Sequence, residues 1–220
     1  MSEDADRFPR DPRRTLLVDN VRVETEVDFL VPPAETFATV DWIDERAETD
    51  DGFGAAVHEL DDEGVVRFYT SGMIDCIDVD DPVGACTALG SAVERLRESG
   101  VVSERRYDRR ISNMSATAVL GVPVRLNRLY HLLPVPKGDV QPPDEGSNSL
   151  DVVVESDAVP IERYNDERDL DSMTMRVSVF GTGTIQIKGA RHPDMLEWAV
   201  SFVAESVTPE CLGADARLST

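Results

Sequence analysis

Phe68-Tyr69-Thr70-Ser71-Gly72-Met73-Ile74 in the first half of the chain is matched by Val179-Phe180-Gly181-Thr182-Gly183-Thr184-Ile185 in the second. Each joins two β-favouring runs through a Ser/Thr-Gly dipeptide, the pattern of a hairpin whose tight turn needs the backbone freedom of glycine. A helical pattern follows each one. The first covers Pro82 to Ser99, opens on Asp80-Asp81-Pro82 and sets Cys86, Leu89, Val93 and Leu96 on one face. The second covers Pro193 to Ser206, opens on His192-Pro193-Asp194 and aligns Met195, Trp198, Ala199, Phe202 and Val203. An acid and a proline ahead of apolar residues at helical spacing mark a helix start.

Working upstream, the recurrence continues. Asn20-Val21-Arg22-Val23-Glu24-Thr25 aligns with Asn113-Met114-Ser115-Ala116-Thr117-Ala118, and each reads as the opening strand of its copy. A first helix is expected over 34–47, with its counterpart from Val124 to Leu132. Asp151 to Ser156 and Met173 to Phe180 alternate apolar and polar residues, as strands do when one face packs on helices and the other is open. The Pro-, Gly- and Asp-rich stretch 134–148 is expected to be a loop, and 156–171 an extended hairpin loop. The chain therefore divides into a disordered tail of mixed charge (1–15), a first repeat (16–107), a second repeat (108–208) and a C-terminal tail (209–220). The fold class is α+β: two pseudo-symmetric repeats forming one curved antiparallel sheet, a saddle, with helices on its convex face.

Composition narrows the setting. Asp and Glu number 43 against 22 Lys and Arg, a net charge of −21, and Lys137 and Lys188 are the only lysines. Acids dispersed along the whole chain suit a protein kept soluble in concentrated salt, where screening shortens to a few Å and self-repulsion costs little. A protein that binds basic partners, or mimics nucleic acid, is the rival explanation of the same charge. No apolar run reaches the roughly 20 residues of a membrane span, and no signal-peptide pattern opens the chain. A cytoplasmic location is expected. Cys76, Cys86 and Cys211 are far apart, without CxxC spacing, and His58, His131 and His192 are scattered, so neither a disulfide framework nor a metal site is expected.

The order and spacing of these motifs resemble the TATA-box-binding protein family, of a haloarchaeal type. The residues that carry the resemblance are Phe68 to Gly72, the helix ending Arg95-Leu96-Arg97-Glu98-Ser99-Gly100-Val101, and Arg110-Ile111-Ser112-Asn113-Met114 followed by Val122-Pro123-Val124-Arg125-Leu126. Val179-Phe180 through Ile187-Lys188-Gly189-Ala190-Arg191 adds the hairpin of the second repeat. The resemblance runs from about Leu16 to Val207. It implies a sheet lying in the minor groove of A·T-rich double-stranded DNA, with aromatic wedges that unstack base steps and bend the duplex. It implies transcription factor B and RNA polymerase as partners, and no cofactor. Carried over by position, Asn20 and Asn113 are the paired asparagines. Phe53 and Tyr69 are wedges of the first repeat and Phe180 one of the second. Ile77 faces the groove, and Arg110, Lys188 and Arg191 flank it.

Departures from the family pattern cluster in the first repeat. Arg22, Arg67 and Asp75 stand where small apolar groove residues are expected, Asp51-Gly52 replaces a basic pair before Phe53, and Asp80 replaces a lysine. A carboxylate facing phosphates repels them, so DNA contact is expected to rest mainly on the second repeat. There Ser115 and Gln186 replace apolar residues, and Gly146-Ser147-Asn148-Ser149 lacks the fourth wedge aromatic. No phosphate loop, GxSxG or HExxH is present, and no enzymatic activity is expected. The alternative reading is a protein-interaction module that kept the two-repeat scaffold while its DNA face degenerated.

Overall fold

The computed structural model describes residues 11–32, 35–37, 40–43, 45–48, 54–60, 64–103, 107–134, 138–141, 148–155, 159 and 174–213. It divides into two compact units: an N-unit, Asp19–Asn113, and a C-unit made of Met1–Val18 with Met114–Thr220.

In the N-unit, β1 (Leu17–Glu26) is followed by β2 (Glu45–Glu48), β3 (Gly54–Glu59), β4 (Val65–Tyr69), β5 (Met73–Val79) and helix α1 (Pro82–Glu98). The strands are antiparallel in the order β2-β3-β4-β5-β1. Val21 and Val23 of β1, Val66 and Phe68 of β4, and Ile74 and Cys76 of β5 are fully buried beneath α1, which packs against β5 and β4. Phe68 lies at the centre, 6.2 Å from the ring of Phe37 and 5.6 Å from that of Trp42. Helix α1 begins where the Asp81 carboxylate accepts from the N–H groups of Val83 and Gly84, with Pro82 at the first helical position. Its inner face holds Leu89, Val93 and Leu96 as expected, while Cys86 is only half-buried.

The C-unit follows the same order. Strand β6 (Arg110–Val119) leads to helix α2 (Leu126–Leu132), β7 (Gly138–Gln141), β8 (Ser149–Glu155), β9 (Thr174–Phe180), β10 (Thr184–Ala190) and helix α3 (Pro193–Ser206). Its strands run β6-β10-β9-β8-β7. The core is aliphatic: Met114, Ala116, Leu150, Val152, Met175, Val177, Ile185 and Ile187 lie beneath Leu196, Ala199 and Val200 of α3. The β4–β5 and β9–β10 turns share one construction. Gly72 donates no side chain to a spot where a Cβ would lie 2.7 Å from the Val27 carbonyl oxygen, and at Gly183 a Cβ would run into that of Val122. Both take positive φ, +95° and +88°, so only glycine sits there without strain.

Several expectations change. Of the helix expected over 34–47, the described residues are helical at 35–37, Asp41-Trp42 is a turn, and Glu45–Glu48 instead pairs with Gly54–Val57 as edge strand β2. Within the expected loop 134–148, Gly138–Gln141 pairs with Asp151–Val154 as edge strand β7. The loop expected over 156–171 lies outside the described residues except for Val159, which is buried. Residues 1–10 of the expected tail also lie outside them. Pro12–Thr15, by contrast, forms a 3-10 turn with Pro12 buried, and the Thr15 hydroxyl accepts from the Val119 N–H at 2.8 Å. At the other end Cys211 is buried and Leu212 bridges to Val124. On α3, Trp198 and Phe202 are half-buried and stack on each other at 5.1 Å, whereas Leu196 and Val200 occupy the centre.

Candidate nucleic-acid interface

Strand alternation leaves each unit with a second face, turned away from its helices. On the N-unit this face collects Asn20, Arg22 and Glu24 from β1, Arg67 and Tyr69 from β4, and Asp75 and Ile77 from β5. Register sets Arg67 directly across from Asp75, and Glu24 across from Asp75 on the other side. The sequence suggested an acid projecting toward phosphates. Asp75 is instead 0% exposed, roofed by arginines. Arg67 binds it bidentately, Nε to Oδ1 at 2.8 Å and Nη2 to Oδ2 at 2.6 Å. Arg22 reaches Oδ2 from the opposite flank at 2.7 Å, and the Tyr69 hydroxyl donates to it at 3.4 Å. The chain of charges extends through Glu24, which is 3.9 Å from Arg22 Nε and accepts from Arg110 Nε at 2.8 Å.

A buried carboxylate is tolerable only when its lone pairs are filled, and here both oxygens are. The effect reaches its neighbours. Hydrogen bonding to Asp75 raises the pKa of Arg67 against the opposing effect of burial. Burial, reinforced by the Asp75 charge, raises that of the Tyr69 phenol. Cys76, on the core side of β5, is pushed up to about 11, first by burial and then by Asp75. Arg67 also lies over the Tyr69 ring at 5.6 Å. Tyr69 is thus half-buried and held at both its face and its hydroxyl. Asn20 is held as well: its Nδ2 donates to Asp78 Oδ1 at 3.1 Å. Ile77 is half-buried on the same face, and Arg110, an exposed residue, donates from Nε to Glu24. Phe53 lies outside the described residues, as do Asp51 and Gly52. The register places Ala55, two residues beyond it, beside Tyr69.

The C-unit face has another chemistry. Its strands β6, β9 and β10 contain no Asp or Glu, in a chain that has 43. Ser115, Thr117 and Ser178 are half-buried and Gln186 is exposed, while Asn113, the last residue of the N-unit, is exposed as well. Lys188 is exposed on β10, and its cross-strand partners are Ser115 and Arg176, the latter exposed too. Among the described residues neither cation makes an ion pair. Phe180 is half-buried at the end of β9 with Ser149 beside it, so no aromatic stands at that register position. Arg191 is half-buried just beyond β10, its N–H directed at Met195 Sδ at 3.3 Å. Two residues escaped the sequence reading. Arg176 becomes noticeable only once register sets it against Lys188, and Asp78 only once its bond to Asn20 is seen.

Among the described residues, no group of three or more His, Cys, Asp or Glu side chains could hold a metal ion. No described helix is long and apolar enough to cross a membrane.

The chain is thus antiparallel α+β, with helices on one face of its strands and a donor-bearing second face. Among solved structures, the chain is similar to the TBP of Methanococcus jannaschii, at 21% sequence identity and a TM-score of 0.59, over 87% of this chain and 97% of that one. That likeness shows a TBP-like fold. The regulatory subunit of aspartate kinase from Thermus thermophilus aligns over 88% of this chain and 97% of its own, at 9% identity and a TM-score of 0.26, too low to bear on the fold. No protein-family model matches the sequence, and no curated protein does.

Proposed function

We propose that this chain is a TBP-like transcription factor, acting in initiation, that binds the minor groove of A·T-rich promoter DNA and bends it, chiefly through its C-unit. The observation that carries the reading is the Lys188–Arg176 pair on acid-free strands. Like charges facing each other across a sheet are unfavourable by themselves. In a chain of net charge −21 they make sense as a site for an anion such as a phosphate backbone. The hydroxyls and amide around them, Ser115, Thr117, Ser178 and Gln186, are donors suited to a groove that shows A·T pairs only as acceptors. Phe180 supplies a wedge, and Arg191 a further cation near the groove. Unstacking a base step costs a few kcal/mol, offset by the surface that bent DNA wraps. Transcription factor B and RNA polymerase are the partners this reading entails, in the cytoplasm of a salt-adapted cell. It is a binding role, not an enzymatic one.

An electrophoretic shift in molar potassium chloride tests it. An A·T-rich duplex is expected to be retarded and bent, and a G·C-rich duplex of equal length is not. Phe180→Ala should reduce the bend. The absence of any shift, with transcription factor B still captured, would favour the second reading, a TBP-fold interaction module. What supports that alternative is the N-unit face, where the donors described above are bound to acids of the same face.

A further inference from the structure

The bond between Asn20 and Asp78 has an unusual foundation. Asp78 is at φ +59°, and among the described residues it is the one non-glycine with positive φ. It belongs to a β-bulge: the β1–β5 register pairs Val21 with Val79 but Val23 with Cys76, so β5 carries one extra residue there. A bulge residue in the left-handed region is normally glycine. The C-unit follows that rule. Its β6–β10 register shifts between Lys188 and Ala190, and the extra residue is Gly189 at φ +87°. Asp78 and Gly189 are each the sixth residue of their strand. The first unit thus accepts a strained backbone in order to hold a carboxylate where the second unit has no side chain.

Resting on the DNA-binding reading above, we propose that Asp78 is a specificity-determining residue: it engages an amide N–H of Asn20, ties the amide to a carboxylate and so withdraws the N-unit from reading the groove. An asparagine in the minor groove works by donating to adenine N3 or thymine O2. At 3.1 Å from Asp78 Oδ1, one of the two Nδ2–H donors is already given to a charged acceptor, the stronger kind of hydrogen bond, and that bond fixes the orientation of the amide. To read a base, Asn20 must either break that bond or offer its second N–H with the Asp78 carboxylate still attached, which brings a negative charge close to the phosphates. The rest of the face is arranged likewise, with Arg22 and Arg67 on Asp75 and Arg110 on Glu24. Base discrimination is left to the C-unit.

Three variants decide the matter, in shift assays with A·T-rich and G·C-rich duplexes. Asp78→Gly matches the residue at the same strand position of the C-unit, suits the positive φ and releases Asn20. It is expected to raise the preference for the A·T duplex about tenfold, the worth of roughly one hydrogen bond to a neutral acceptor. Asp78→Asn removes the charge but keeps an acceptor for Asn20, and should gain far less. The double variant Asp78→Gly, Asn20→Ala should fall back to the wild-type preference or below it. A gain that survives in the double variant, or is equalled by Asp78→Asn, would show simple relief of repulsion and overturn the inference alone. No retardation with the wild type or with Asp78→Gly would overturn the DNA-binding reading and this inference with it.

Discussion

The two units run their strands in the same order and build their hairpins on the same glycines, yet their open faces are chemically opposed. On the N-unit, β1 and β5 supply Glu24, Glu26, Asp75 and Asp78, and arginines close over Asp75 and Glu24. On the C-unit, β6, β9 and β10 supply none, and Lys188 and Arg176 face each other without a counter-ion among the described residues. A sheet face can therefore be made stable by satisfying its own polar groups, or left unsatisfied and available to a ligand. It cannot be both. The arginine-roofed carboxylate stabilises the first face by removing its arginine donors from use; the second keeps Lys188 and Arg176 without ion pairs among the described residues and tolerates their repulsion.

The comparison extends into the cores, and there the expected effects are largest. The N-unit core is built on Phe68, flanked by Phe37 and Trp42. Phe68→Ala should cost about 3–5 kcal/mol, since a fully buried ring leaves a cavity that its neighbours cannot fill. Thermal unfolding would measure it; a loss below about 2 kcal/mol would mean that the aromatic cluster is not the centre of the unit. Next comes Asp75→Ala. Breaking a buried ion pair costs about 3–5 kcal/mol when the orphaned charge stays buried. Arg67 and Arg22 have side chains 25% and 36% exposed and can turn to water, so about 2–3 kcal/mol is expected. Gln186→Ala, at the same strand position of the C-unit, should fall within about 0.5 kcal/mol of the wild type, because its side chain is exposed. Equal costs at Asp75 and Gln186 would erase the contrast between the faces.

Trp198→Ala is the third test. Had the indole been fully buried, about 3–5 kcal/mol would be at stake. It is half-buried and stacked on Phe202 at the margin of α3, so about 1–2 kcal/mol is expected, read by the shift in Tm. The misplacement of this residue shows where sequence reading stops. Helix α3 is apolar over most of its circumference, with Met195, Leu196, Trp198, Ala199, Val200, Phe202 and Val203 all eligible for the inner face. Periodicity finds such a helix but cannot say which side lies deepest. The hairpins and helix starts were legible because their signals are local: Gly72 and Gly183 at the turns, Asp81-Pro82 and His192-Pro193 at the caps. The edge strands β2 and β7 were not. Four residues reading Glu-Arg-Ala-Glu or Gly-Asp-Val-Gln hold their place by hydrogen bonds to one neighbour, with no apolar pattern to announce them. At the site, residue types were legible and pairings were not. Arg22, Arg67 and Asp75 could be named as departures, but that they neutralise one another follows from a register set across three strands.

The smallest effect is also the most discriminating, because its two parts have opposite signs. Lys188 and Arg176 are cross-strand partners, both exposed. Like charges in that position cost a few tenths of a kcal/mol at low ionic strength, and salt screens them. Lys188→Gln should therefore raise stability by about 0.2–0.5 kcal/mol in dilute buffer, with the gain vanishing in molar salt. If the pair serves phosphates, the same substitution should weaken binding to A·T-rich and G·C-rich duplexes alike. It should also flatten the plot of log affinity against log salt by about one unit of slope. Arg176→Gln should behave in the same way. A residue retained only for the fold would not gain stability when replaced, and one that is merely an idle surface charge would not lose affinity. A stability gain with no change in the salt slope would leave the C-unit face as ordinary solvated sheet. The difference between the two units would then be one of packing, not of binding.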